Sequence, residues 1–67
     1  MSMLKVIEVL AESDKSWEDA AKNAVKKASK SLKNIKSIYI ENFEATVKDE
    51  AIAKYRINAK ITFVLND

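Results

Sequence analysis

The sequence contains no cysteine, histidine, glycine or proline among its 67 residues. Without cysteine it can form no disulfide, thiol nucleophile or thiolate metal site. Without histidine it has no imidazole ligand or imidazole base. The absence of glycine excludes the glycine-rich phosphate loops of nucleotide-binding proteins. Catalytic and metal-binding classes that depend on these residues are therefore excluded.

Long apolar runs are also missing. The segment from Met1 to Lys5 does not resemble a signal peptide, and no stretch could span a membrane, so we expect a cytoplasmic protein without a membrane partner. The net charge of +2 is too small to indicate a nucleic-acid partner by itself. So short a chain buries only about 60% of its unfolded surface. We therefore predict a single domain over residues 1–67 that gains stability from partner subunits.

The strongest pattern in the sequence lies in its last strand, predicted over Ala51–Leu65. Alternate residues there are apolar, namely Ala51, Ala53, Tyr55, Ile57, Ala59, Ile61, Phe63 and Leu65. A period of two predicts a strand with one buried face. Its residues would span about 50 Å, although a compact chain of this size is only about 28 Å across. The strand must curl or overhang its subunit, and an overhanging apolar face predicts oligomerisation.

The amino-terminal half predicts a strand followed by a helix. The strand covers Leu4–Leu10, and the polar residues from Ala11 to Lys15 connect it to the helix. Ser16 is the expected helix cap, with Asp19 reaching back to it in a capping box. We expect a helix of about 17 residues, or roughly 26 Å, that ends at Lys33 and Asn34, because asparagine tolerates a left-handed helix end.

One face of the predicted helix is apolar and the opposite face is basic. The apolar stripe comprises Trp17, Ala20, Ala21, Ala24, Val25, Ala28 and Leu32. Trp17 lies on this stripe, so we interpret it as a core anchor rather than a ligand-stacking residue. The basic face could be solvated or could bind RNA. Since neither exposed aromatic residues nor a glycine-containing loop accompanies it, the pattern favours a solvated face.

The second strand is predicted over Ile35–Val47, and Lys48–Glu50 should form the turn into the last strand. Because the turn lacks glycine, we expect a type I-based loop rather than a primed turn. In the strand, Tyr39, Phe43, Ala45 and Val47 share one parity, with Glu41 intruding. The element order is β-α-β-β. It predicts an α+β fold in which the last two strands form an antiparallel hairpin and the first strand pairs beside it.

No catalytic constellation is present, because the serines have no adjacent base, and we predict a protein that is not an enzyme. The carboxylates are scattered and indicate a solvated surface: Glu8, Glu12, Asp14, Glu41, Glu44, Asp49 and Glu50. A site for a divalent cation, built from carboxylates of neighbouring subunits, remains open.

Three segments resemble the dodecin family over nearly the whole chain. The run from Ser16 to Val25, SWEDAAKNAV, resembles the opening of the dodecin helix. Lys5–Val9 is similar to the family's first strand, and Tyr55–Phe63 to its last. The resemblance implies a sheet wrapped around one helix, in a homododecameric shell. It also implies flavin storage without catalysis: riboflavin or FMN stacks on an aromatic ring of the second strand and is hydrogen-bonded by a glutamine of the last.

The two ligand-binding positions implied by the resemblance carry different residues here. Ser37 stands where flavin-binding members have tryptophan, and Arg56 stands where they have glutamine. Serine has no π-face for stacking, and arginine has donors but no acceptor, so we expect weak or absent flavin binding. The first hypothesis is a shell for a small flavin-class ligand, with its site reshaped around Ser37 and Arg56. The alternative is a flavin-free shell with a structural or calcium-binding role, since the chain resembles calcium-binding members at Arg56.

Overall fold

The computed structural model describes residues 2–65 and has the predicted α+β architecture. Its elements are β1 (Met3–Ser13), α1 (Trp17–Ala28), β2 (Ile35–Lys48) and β3 (Ala51–Leu65). The β-α-β-β order and the bounds of β3 are confirmed. The predicted end of β1 at Leu10 is wrong, because the strand continues to Ser13.

The central strand of the sheet is β3, and the strand order is β1-β3-β2. Both neighbours run antiparallel to it, so the predicted hairpin and the predicted place of β1 are confirmed. The β1 pairing runs from Met3↔Leu65 to Ser13↔Tyr55. The β2 pairing extends further, to Lys48↔Ala51. The end of the hairpin therefore projects beyond β1 as a two-stranded ribbon.

The core lies between α1 and one face of the sheet, which we call the helix face. Ile57, Ala59 and Ile61 of β3 are fully buried there, and Ala20 of α1 packs against Ile57 and Ala59. Phe63 continues the same row and is also buried. The predicted buried parity of β3 is thus confirmed over its second half. The other face, which carries Arg56, Asn58, Lys60 and Thr62, is called the open face.

Bulges in β2 explain why the parity of that strand is hard to interpret. Register shifts occur between Ile35 and Ser37 and between Ile40 and Asn42. Each extra residue changes which parity faces the helix. The pairings place Ile35, Ile38, Ile40, Phe43 and Ala45 together on the helix face. Tyr39 and Phe43, which share one parity in the sequence, therefore lie on opposite faces, with Tyr39 paired with Lys60 on the open face.

The helix begins as predicted but without a complete capping box. The Ser16 hydroxyl accepts a 2.9 Å hydrogen bond from the amide of Asp19. The Asp19 carboxylate, however, accepts a hydrogen bond from Ser13 Oγ rather than from the Ser16 amide. That amide donates to Ser13 Oγ at 3.4 Å instead. The predicted hydrogen bond from the Ser16 amide to the Asp19 carboxylate is therefore wrong. The longer β1 brings the Ser13 hydroxyl to the helix start, where it bonds to both groups.

The helix is shorter than predicted, with 12 residues over about 18 Å. It ends at Ala28 because Ser29 caps it, donating from its hydroxyl to the Val25 carbonyl at 2.7 Å. Serine competes in this way with helical hydrogen bonding. Asn34 has the expected positive φ, at 62°, but it precedes β2 rather than closing the helix.

The hairpin turn differs from the predicted type I-based loop. Asp49 and Glu50 are its two central residues, with φ of 53° and 65°. Positive φ at both positions is the feature of a type I′ turn, which matches the right-handed twist of paired strands. The left-handed conformation costs about 1–2 kcal/mol for each non-glycine residue. The twist of the long hairpin therefore outweighs the missing glycine.

The fold is elongated and leaves much apolar surface uncovered. Its extents are 51 × 20 × 13 Å, so α1 covers only the middle of the sheet. Large apolar side chains that remain exposed are Met3, Leu4, Val6, Leu10, Tyr39, Phe43, Val47 and Ile52. The predicted overhang is confirmed. No helix among residues 2–65 is long and apolar enough to cross a bilayer.

Candidate functional site

Arg56 lies at the centre of a row of charges that crosses the open face. It pairs in register with Glu12 of β1 on one side and Glu44 of β2 on the other. Arg56 Nε donates to Glu12 Oε2 at 2.7 Å, and Nη2 lies 2.6 Å from the same oxygen. Arg56 Nη1 lies 3.3 Å from Glu44 Oε1. All three strands therefore contribute one residue to this row, which we call the Arg56 row.

The Arg56 row contains one positively charged and two negatively charged side chains. The hydrogen bond to Glu12 and the negative charge of Glu12 are the main causes that raise the pKa of Arg56, and Glu44 acts in the same direction. The sequence suggested that Glu12 and Glu44 are scattered carboxylates on a solvated surface. In the fold, both are paired with Arg56. Because two carboxylates face one guanidinium, the row attracts cations more readily than it attracts an anion.

A second ion pair lies next to the Arg56 row on the open face. Lys60 Nζ is 3.2 Å from Glu41 Oε1, and Glu41 lies at the β2 bulge between Ile40 and Asn42. The hydrogen bond to Glu41, followed by the charge of that carboxylate, raises the pKa of Lys60. Regular alternation after Tyr39 and Ile40 already places Glu41 on the open face, and the bulge brings Asn42 to the same face beside it.

Ser37 is exposed on the same face, but the fold does not bring it to Arg56. Ser37 pairs with Thr62, which follows Arg56 by six positions of β3, or about 20 Å. The two residues that the resemblance assigns to ligand binding are therefore well separated within one copy. A ligand that contacts Ser37 and Arg56 at once would have to lie between copies, so that each residue comes from a different copy.

Asn58 separates the two ion pairs and was not singled out from the sequence. It pairs with Leu10 on one side and Asn42 on the other. Its Oδ1 is buried and accepts no hydrogen bond from the described residues. The pattern of β3 places Asn58 on the polar parity, but only the three-strand register reveals its apolar neighbour Leu10.

Three aromatic residues cluster at the start of α1. Trp17 stacks on Phe43 at a ring-centroid distance of 5.8 Å and meets the edge of Tyr55 at 4.9 Å. Its Nε1 donates to the Glu44 carbonyl at 2.9 Å. Trp17 is half-buried against the core, which supports its interpretation as an anchor. Tyr39 is apart from this cluster and is 64% exposed on the open face.

Carboxylates are present on the open face, yet one copy does not group them as metal ligands. Among residues 2–65 there is no cluster of three or more Asp, Glu, His or Cys side chains able to hold a metal ion. Carboxylate oxygens are the ligands that calcium prefers, and the ion takes six to eight of them. Glu12 and Glu44 have the right donor chemistry, but they supply only part of such a ligand set.

The sequence and the fold were compared with known proteins. Residues 3–66 match the family model described as Dodecin. The chain is 33% identical over 63 residues to calcium dodecin of Mycobacterium tuberculosis, covering 94% of this chain and 89% of that protein. The family model and this relative each cover nearly all of the chain.

Two solved structures show the same fold. Dodecin from Streptomyces coelicolor superposes with a TM-score of 0.95 at 24% identity, covering 98% of this chain and 94% of that one. The calcium-chelating antigen calcium dodecin of Mycobacterium tuberculosis, described with a calcium-binding site, superposes with a TM-score of 0.85. It is 31% identical and covers 97% of this chain and 93% of its own.

Proposed function

Because the chain belongs to the dodecin family, we propose that it assembles into a non-catalytic homododecameric shell that binds calcium between copies. The observation that carries this proposal is the Arg56 row, which holds Glu12 and Glu44 on the open face. The Ser13 hydroxyl does donate to the Asp19 carboxylate, but Ser13 is buried and its oxygen accepts from the amides of Lys15 and Ser16, which supports a structural role for this pair rather than catalysis.

Self-association is supported by the surface that one copy leaves uncovered. Leu4, Val6 and Leu10 lie on the open face of β1 and are each more than half exposed. A single chain of this length has little core of its own, and covering such apolar positions with another copy stabilises the fold. Light scattering of the purified protein should report twelve copies, and a stable monomer would contradict the proposal.

Calcium binding is supported by the donor chemistry of the open face. When the open faces of two copies approach each other, their Glu12 and Glu44 carboxylates supply oxygens that one copy cannot group alone. Arg56 keeps these side chains in place and limits the repulsion between them. Calcium dodecin of Mycobacterium tuberculosis, similar to this chain in both sequence and structure, supports the same ligand class.

Calorimetric titration of EDTA-treated protein with CaCl2 tests the proposal. The wild type should bind calcium, and Glu12→Gln with Glu44→Gln should bind it at least ten-fold more weakly, since each removes a charged oxygen ligand. Glu18→Gln is the matched control, because Glu18 is an exposed carboxylate of α1 remote from the open face. Equal calcium affinity in all three proteins would contradict the assignment.

A flavin-class ligand is the second candidate function. Tyr39 presents an exposed ring on the open face, two positions from Ser37, and a tyrosine face can stack on a flavin. Phe43 stacks on Trp17 on the helix face, so it does not share a face with Ser37 and Tyr39. Quenching of riboflavin fluorescence by the wild type, abolished in Tyr39→Ala, would support this candidate over calcium.

A further inference from the structure

The end of the β2–β3 hairpin, residues 46–54, forms a projection that we call the tip. From Tyr55, the last β3 residue paired with β1, to Ala51 the ribbon continues for about 13 Å. Val47 and Ile52 are partners there, just after a further register shift between Thr46 and Val47, and they are 70% and 51% exposed. The tip therefore carries an apolar pair on one face that its own helix does not reach.

The turn at the end of the tip keeps Glu50 in a conformation that favours glycine. Asp49 and Glu50 both have positive φ; aspartate is one of the preferred residues at the first position of such a turn, whereas glycine is preferred at the second. Backbone strain that persists in a native structure often marks a position where the side chain serves a function. The carboxylate of Glu50, next to that of Asp49, is therefore the feature of the tip that needs an explanation.

A groove of about 790 Å³ lies between α1 and the free edge of β1. Its apolar lining includes Val9 of β1, Ala24 and Ala28 of α1, and Leu32, which follows α1. Lys26, Lys27 and Lys30 surround it and are exposed. The groove thus combines an apolar floor with a rim of three lysines and one carboxylate, Glu12. The rim has a net positive charge, which is the complement of an apolar tip that ends in two carboxylates.

We propose that the tip of one copy docks into this groove of a second copy. Val47 and Ile52 would cover the apolar floor, and Asp49 and Glu50 would lie against the lysines of the rim. The tip leaves the sheet beyond Trp17 at the start of α1, whereas the groove follows the end of α1, so one copy cannot fill its own groove. This inference rests on the self-association proposed above and names the surfaces that produce it.

The contact is heterologous, because the two surfaces are different parts of the same chain. Such a contact produces a closed ring when its rotation closes, and each copy then donates one tip and accepts another. Charge complementarity across the contact sets its register and excludes other pairings. A discrete assembly rather than an open filament is the expected product.

The first test uses Asp49→Asn with Glu50→Gly (D49N/E50G), which removes the charges and supplies the residues that the turn prefers. The melting temperature of the dissociated subunit should stay the same or rise. The concentration at half-dissociation, measured by sedimentation velocity, should rise at least about ten-fold. A variant that folds better and assembles worse separates docking from folding.

The second test reverses the groove. Lys27→Glu with Lys30→Glu should weaken assembly to the same extent, and combining it with Asp49→Lys and Glu50→Lys should restore assembly. Lys22→Glu with Lys33→Glu is the matched control, since it makes the same change in net charge at lysines that do not line this groove. The control should dissociate at the wild-type concentration.

Two outcomes would overturn the docking arrangement. If D49N/E50G and the groove variant both assemble as the wild type does, the tip and the groove are not partners, although the shell itself stands. If the charge-swapped variant is as weak as the single-sided variants, the two charged sets do not meet. A monomeric wild type would instead refute the proposed shell, and this result is distinct because no variant is needed to see it.

Discussion

Ser13 donates a 2.6 Å hydrogen bond from Oγ to Oδ2 of Asp19, and this bond ties the end of β1 to the first turn of α1. The same Ser13 oxygen accepts from the amide of Lys15 at 2.9 Å. Ser13 is only 7% exposed. The crossover from sheet to helix is therefore organised by one buried hydroxyl rather than by glycine or proline.

Ser13→Ala should destabilise the fold by about 1–3 kcal/mol, because it leaves buried polar partners without their hydrogen bonds. Urea unfolding followed by far-UV circular dichroism measures the change. Ser31→Ala is the matched control, since Ser31 is exposed in the turn after α1, and it should have little effect. Equal midpoints for the two variants would show that the Ser13 hydrogen bonds are replaced by water.

Trp17→Ala should destabilise by about 3 kcal/mol, because it removes an aromatic residue that packs on Phe43 and Tyr55. Trp17→Phe keeps an aromatic ring but loses the hydrogen bond to the Glu44 carbonyl, and it should cost only about 1 kcal/mol. Thermal unfolding of both variants checks the order. A melting temperature unchanged in Trp17→Ala would reopen a ligand-binding role for Trp17.

The Lys60–Glu41 pair should make stability depend on pH in the alkaline range. The pKa of Lys60 is raised above its ordinary value of 10.5 in the folded chain, so folding favours the protonated amine. The contribution of the pair is complete below pH 10.5 and is lost as pH rises through the folded pKa. The difference in melting temperature between wild type and Lys60→Gln should therefore be constant from neutral pH to about pH 10 and then shrink.

Lys54→Gln is the control for this experiment, because Lys54 is exposed on β3 and no ion pair of it is found within residues 2–65. Its melting temperature should follow that of the wild type through the same range. A Lys60→Gln difference that changes between pH 6 and 9 would show that another group controls the pair.

Wild-type protein should bind riboflavin weakly or not at all, since Ser37 offers no ring and the Arg56 guanidinium is engaged by Glu12 and Glu44. Ser37→Trp with Arg56→Gln should create binding that quenches flavin fluorescence, and the double variant should exceed either single one. Because Ser37 and Arg56 are about 20 Å apart along β3, the gain should appear only in assembled protein. Strong quenching by dissociated subunits would contradict this arrangement.

Much of the fold is predictable because β3 has a neighbour on each side. A central strand must bury one face along its length. The sequence therefore shows a clear period of two, with the buried residues Ile57, Ala59 and Ile61 at alternate positions. An edge strand such as β2 tolerates bulges, and those bulges move Phe43 and Ile40 to the same face despite their opposite parity. Local periodicity cannot reveal a bulge, because the bulge is defined by the partner strand.

The candidate site was predictable only in part for a related reason. Arg56 and Ser37 were identified through resemblance to a family, but the partners of Arg56 come from other strands. Glu12 is 44 positions away in the chain and meets Arg56 only through the β1–β3 register. The turn at Asp49 and Glu50 was mispredicted because strand twist, rather than residue preference, decides its conformation.

The central place of β3 also has a consequence for the order in which a ribosome-bound chain can fold. β1 and β2 do not pair with each other. Each of them pairs with β3, which follows both in the sequence. During synthesis α1 can form early, but no strand has a partner within its own chain until β3 begins to emerge. The exposed edges of β1 and β2 must therefore remain unpaired on the nascent polypeptide, where chaperones have their opportunity to protect them.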